Sequence, residues 1–354
     1  MAYSVFMKPA PESSAFINRE LSWLAFNSRV LEEVVNRRNP LIERLKFHTI
    51  FTSNLDEYFM KRVGGLKRRN EAVHEVLKNT DPEVDKTLNL IRQAVLPLLA
   101  KQADYLNQTL LPELADGGIR ILSVKDLNES QTSWTTDFFK RNFFSVLTPL
   151  VVDEGHPFPF ISNLSVSLGV LLADPKDESE IVFARIKVPN VFPAWIQLPN
   201  MGEPSRLNFV SAHQLIENNL DLLFPGMKIL NSCSFRVLRN AIVDRDVDEE
   251  EESDDLLEIV AEELKERRFA EAIRLEISSG ADPKIAELLK AELNLTENEV
   301  YELPMDLEFY QLGPICEIRK PSWEFPGWTP ISRFDLDKPD RSIFDVIREK
   351  DVLV

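Results

Sequence analysis

Apolar residues recur at helical spacing from Asn18 onward. Leu21, Leu24, Leu31 and Val35 form a stripe that Trp23, Phe26, Val30 and Val34 widen, and Asn18 stands where a cap is needed. Asn39-Pro40 restarts the chain, and Leu41, Leu45, His48 and Phe51 or Thr52 continue the period. Ser53 and Asp56 have capping-box spacing, which predicts a break and a new helix from about Asn54, loosened at Gly64-Gly65. Asp81-Pro82 opens a third, longer pattern from Val84 to Leu110. Pro97 predicts a kink in it, and Pro112 and Gly117-Gly118 its end. Residues 16–117 therefore read as an all-helical bundle, preceded by a Pro/Ser-rich stretch, 1–15, that reads as disordered.

After Gly118 the period changes. Segments 119–122, 146–152, 164–173, 181–188, 235–239 and 273–277 have strand composition. Helical patterns lie between them: one from Ser211, with Gln214 at capping-box spacing, one over about 254–268, and one opening at Asp282-Pro283. Residues 118–305 thus read as a mixed α+β domain, and the fold class as α+β. From 306 to 354 prolines and the pair Trp323 and Trp328 predict an extended linker, then a short helix from Ser342. The final DVLV follows an apolar pattern with no polar tail, so a truncation is expected there.

Charge narrows the function classes. The formal net charge of -17 predicts a chain that repels nucleic acid over most of its surface. The two cysteines, Cys233 and Cys316, have no metal-finger or redox spacing, which fits a reducing compartment. No signal peptide and no apolar run of membrane-spanning length is read, so the expected location is the cytoplasm.

Familiar phosphate machinery is missing. The eleven glycines form no G-x-G and no Walker loop. None of the four histidines, His48, His74, His156 and His213, begins an H-x-K or sits in H-E-x-x-H, so no catalytic residue is assigned. The acidic run Asp244 to Asp255 opens as a calcium loop does, but Glu249 stands where the turn needs Gly and Asp255 where Glu is needed. A solvated acidic loop is the better reading, and no metal site is assigned. Lys61, Arg62, Lys67, Arg68 and Arg69 form a cluster with no acid among them, either an attractor for phosphate or a solvated helix face. Asn54 reads as a cap or turn former, although its amide also suits the edge of an adenine ring.

Longer strings then carry a resemblance. INRELSWLAFNSRVLEEVV (17–35) and PLIERLKFHTIFTSNLDEYFMKRVGGLKRR (40–69) resemble the N-terminal domain of the bacterial polyphosphate kinases that use a phosphohistidine. LTPLVVDEGHPFPFISNLSVSLGVLL (147–172), FARIKVPNVFPAWI (183–196), DEEEESDDLLEIVAEELKERRF (248–269) and SIFDVIREKDVLV (342–354) resemble the next, or head, domain and the entry to the catalytic part. The resemblance implies reversible transfer of the ATP γ-phosphoryl group to polyphosphate through a phosphorylated histidine, with magnesium. It implies that Asn54, the asparagine of SNLDE, touches the ATP base, and that the head domain forms a homodimer. Two phospholipase-D-like catalytic domains follow in the family and are absent from this sequence, so the chain alone is expected to be inactive. Lys61, Leu238 and Asn240 depart from the family pattern. The rival readings are a half-length protein that binds nucleotide or polyphosphate, and a pure oligomerisation module.

Overall fold

A computed structural model describes residues 17–77, 81–153, 155–175, 177–200, 206–241, 270–330 and 342–353. The expected disorder over 1–15, the acidic run 244–255 and the helix expected at 254–268 lie outside these residues.

The helical part begins as its caps dictate. The Asn18 carboxamide accepts from the Glu20 and Leu21 amides, and α1 runs Arg19–Glu32. Helix α2, Leu41–Tyr58, corrects the expected break: it passes straight through Asn54. The Ser53/Asp56 signal is local, and the buried stripe Leu45, His48, Phe51, Leu55 and Phe59 overrides it. A π-helical turn, Phe59–Val63, then joins α2 to α3, Gly64–Leu77, so Gly64-Gly65 continues the helix. Asp81 caps α4, Pro82–Tyr105, which runs through Pro97. After a second π-helical turn, α5, Leu111–Asp116, accommodates Pro112 in its first turn, where no amide donor is required.

The second part is built on two sheets. β1 (Ile119–Ile121), β6 (Leu207–Ser211) and β5 (Trp195–Gln197) form the smaller, in that order. The larger has the order β2-β4-β3-β7-β8-β9: Leu150–Val152, Asp177–Lys187, Val166–Asp174, Lys228–Arg239, Ala272–Ser278 and Val300–Leu303. Its ladders are antiparallel except β8 with β9, which run parallel and are joined through the helix Pro283–Glu292. β3 reads as one apolar run because both its faces are covered. Leu168, Val170 and Leu172 meet Phe139 and Phe143 beside α6, Glu129–Phe138, while Leu171 meets Phe183, Phe235 and Ile285.

The two parts share a core. Leu24, Leu55, Phe59 and Leu98 of the helices pack in one cluster with Leu238, Ile273 and Tyr301 of the sheet. The stretch expected as an extended linker joins them: Leu307, Leu312 and Ile315 are fully buried in the same cluster. Further on, the Trp323 ring lies where a Cβ at Gly117 would stand, and the Lys320 ammonium sits over that ring and donates to the Gly117 carbonyl. The prolines there direct a docked chain. The departures from the family pattern also find places. Leu238 is buried, and the buried Asn240 amide donates to the Gly64 carbonyl at 3.2 Å, an approach that a Cβ on Gly64 would crowd.

Candidate functional site

Asn54 sits half-buried on α2, facing α1. Its Nδ2 donates to Asn27 Oδ1 at 3.1 Å, and the fully buried Asn27 in turn donates to the Phe51 carbonyl at the same distance. Asn54 is therefore held by a side-chain ladder between two helices, with a role other than the cap its local sequence suggests. Its side chain makes no other hydrogen bond among the described residues, so its amide oxygen is free to accept. Phe26 and Ile50, both exposed, belong to the same two helices.

Two residues past Asn54, Asp56 points the other way. Arg236 of β7 reaches it with two parallel hydrogen bonds of 2.8 Å and donates through Nε to Glu276 of β8 at 2.6 Å. Arg274, with no exposed surface, approaches Glu276 at 2.7 Å and lies between the rings of Phe59 and Tyr301, at 4.3 and 4.1 Å. The Arg236 guanidinium lies over Tyr310 at 4.9 Å. Two carboxylates and two guanidiniums thus balance inside the junction between helices and sheet. Burial opposes the charge on Arg236, but Glu276 and Asp56 outweigh it and hold its pKa above the ordinary value. Burial, with Glu276 close by, pushes the Asp56 carboxyl up against the pull of Arg236. This network fixes the roll of α2, and with it the direction in which Asn54 faces. Sequence reading missed it, although part of the signal was present: Arg274 and Glu276 interrupt the apolar run of β8, and Arg236 stands between Phe235 and Val237.

The basic segment is not gathered onto one point. Lys61 pairs with Glu57 on the exposed side, and Arg62 reaches Glu20 of α1 at 3.4 Å. Lys67 turns inward, 2.9 Å from Glu271 and 3.1 Å from Glu299, and donates to the Ala272 carbonyl. Arg68 is half-buried and partnered, and Arg69 is exposed. Of the five, Lys67 is a tether to the sheet, while Lys61 and Arg69 face solvent.

Histidines and thiols divide by environment. His48 is fully buried between helices with both ring nitrogens unpartnered, and burial lowers its pKa to about 4. Burial pushes the thiols of Cys233 and Cys316 up to about 12, which leaves both inert. His156 is exposed beside Asp153. Among the described residues no group of three or more His, Cys, Asp or Glu side chains is arranged to hold a metal ion, and no helix is long and apolar enough to cross a membrane.

The chain matches two family models in order: the polyphosphate kinase N-terminal domain over residues 16–122 and the polyphosphate kinase middle domain over 130–314. It is 40% identical over 340 residues to a polyphosphate kinase of Thermosynechococcus vestitus, covering 94% of this chain and 46% of that protein. It is 38% identical over 349 residues to polyphosphate kinase 1 of Chlorobaculum tepidum, covering 97% and 49%. A crystal structure of polyphosphate kinase from Porphyromonas gingivalis shares the fold, with a TM-score of 0.75 at 23% identity over 96% of this chain and 47% of that one. The chain spans about half the length of the curated relatives it matches. The two matched domains, taken with that extent of identity, place this chain in the polyphosphate kinase family.

Proposed function

We propose that this chain supplies the adenine side of the ATP site and the dimer-forming head of a polyphosphate kinase, and that the histidine which carries the phosphoryl group is not among its residues. The observation that carries the reading is the ordered match to the N-terminal and middle domains in a chain about half as long as its relatives. ATP and polyphosphate are then the substrates. Asn54 offers the base an amide oxygen from a helix that Asp56 and Arg236 hold in place. Lys61 and Arg69, facing solvent, add local positive potential for phosphates. Magnesium, expected for the full enzyme, finds no ligand cluster among the described residues.

Phosphoryl transfer needs a nucleophile and charge neutralisation converging on one phosphorus. The described histidines do not meet that need: His48 is enclosed, His213 is committed to Glu308, and His156 stands alone with Asp153. On this reading a polypeptide of these 354 residues forms no polyphosphate from radiolabelled ATP, and label in long chains on a thin-layer plate would refute this. For the dimer, the edge strand β2 exposes Leu150 and Val151 next to exposed Phe144 and Val146. Light scattering should give twice the chain mass, reduced to one chain mass by Val151→Lys. A wild-type chain that is already monomeric removes this part of the proposal.

A further inference from the structure

The ladder from Asn54 to Asn27 has a direction, and the backbone sets it. Asn27, on α1, has no exposed surface, and its Nδ2 donates to the Phe51 carbonyl of α2 at 3.1 Å. A carbonyl can only accept, so the Asn27 amide cannot be turned over without setting two oxygens against each other. Asn27 Oδ1 therefore faces Asn54, and an oxygen at that place takes only a donor. Asn54 meets it with Nδ2, again at 3.1 Å. The outer atom of the Asn54 amide is thus its oxygen. That oxygen has no partner among the described residues and, unlike the ring nitrogens of His48, it is open to solvent. An asparagine without such a relay can present either its oxygen or its amino group.

The seam between α1 and α2 keeps this geometry. One turn further along it, Trp23 stacks on Tyr58, with ring centroids 4.5 Å apart and planes 12° from parallel. Phe51, whose carbonyl starts the relay, is itself fully buried. Phe26 of α1 and Ile50 of α2, one turn before Asn54, are exposed and supply apolar surface for a ring. An outward acceptor then selects among purines by their exocyclic group. An amino group donates to it. An oxo group sets oxygen against oxygen, and a ring without a substituent offers nothing. An amide turned the other way would donate to a ring nitrogen of adenine and would not need the amino group.

We propose that Asn27 is a positioning residue for base selection: fixed by the Phe51 carbonyl, it holds the Asn54 amide with its oxygen outward and makes recognition depend on the exocyclic amino group of adenine. This rests on the reading of Asn54 as the base contact. The test is NMR titration of the full 354-residue chain with adenosine and with purine riboside, the same nucleoside without the amino group. The signals followed are those of the Asn54 side-chain amide, identified by their loss in Asn54→Ala. Adenosine should bind about fivefold more tightly, the size of one net hydrogen bond. Asn27→Leu keeps a similar volume and removes the relay, so the ratio should fall towards one. Adding Asn54→Asp to Asn27→Leu puts an oxygen outward whichever way the group turns, and the preference should return, which a merely structural role of Asn27 would not give. Circular dichroism checks the fold of each variant, and the wild-type ratio stands without any of them. Equal binding of the two nucleosides by wild type, or a ratio that Asn27→Leu leaves unchanged, overturns the role of Asn27; the Asn54 reading survives either result if Asn54→Ala abolishes binding. No saturable binding of either nucleoside, or adenosine binding that Asn54→Ala leaves unchanged, overturns the Asn54 reading and the role of Asn27 with it.

Discussion

The junction around Arg236 and the segment 61–69 are both rich in cations, yet they do opposite things. At the junction every charge is buried and answered: Arg236 by Asp56 and Glu276, and Arg274 by Glu276 and two aromatic rings. In the segment the cations scatter to separate partners, and Lys61 and Arg69 remain in solvent. Density of charge along the chain does not locate an electrostatic site; the position of the carboxylates does. The junction is recognisable only in three dimensions, since Asp56 and Arg236 lie 180 residues apart.

The largest effect should come from breaking the junction. Arg236→Met leaves Asp56 without its hydrogen-bonded partner and Glu276 with Arg274 alone, in a space closed to water. Removing one partner of a buried pair typically costs about 3–5 kcal/mol, and urea unfolding should show a loss of that size. Adding Asp56→Asn to Arg236→Met should return part of it, because the uncompensated carboxylate goes while Glu276 keeps Arg274. A loss below about 1 kcal/mol for Arg236→Met would mean that water reaches the junction.

A second effect separates buried charge from buried neutrality. His48 has no partner for its ring, so the fold favours its neutral form. The unfolded chain titrates near 6.5 and the folded chain near 4. The stabilisation is therefore complete above pH 6.5 and is lost as the pH falls towards 4, by about 3 kcal/mol in all. His213 is its counterpart: burial again opposes the imidazolium, but Glu308, with Glu217 and Asp306 nearby, raises its pKa, so its contribution is lost as the pH rises. Comparing wild type with His48→Leu cancels the other groups. The variant should lose less stability between pH 6.5 and 4, and parallel curves would show that His48 is not the titrating group.

Local signals were legible in the sequence where structure is decided locally. Asn18, Asp81, Ser211 and Asp282 all cap helices as their spacing indicates, since a cap needs only its own first turn. β3 and β4 follow from apolar runs. The break at Asn54 failed because a capping pattern inside a continuous buried stripe gains less than the stripe does. Residues 307–316 were hidden by Pro314 and the proline-rich stretch that follows, although Leu307, Tyr310, Leu312 and Ile315 are spaced to meet the helices. Of the candidate site, Asn54 was legible through the resemblance. Its ladder to Asn27, the brace behind it and the pair His213–Glu308 were not, because each joins elements whose proximity only the fold creates.

The smallest effect sharpens the comparison most finely, because it lies within the basic segment itself. The Lys67 side chain is largely enclosed and lies near two carboxylates, and burial opposes its charge less than Glu299 and Glu271 favour it, so its pKa rises. Lys61 has one partner on an exposed helical turn, an arrangement that contributes little because water screens it and two long side chains must be held still. Lys67→Met should therefore cost about 1–2 kcal/mol in urea unfolding, and Lys61→Met less than about 0.5 kcal/mol. If Lys61 serves phosphate attraction, its loss appears elsewhere: ATP binding should weaken at low salt and converge with wild type as ionic strength rises, with stability unchanged. Equal stability losses for the two lysines would mean that the segment is one solvated face, and the division between tether and attractor would fall.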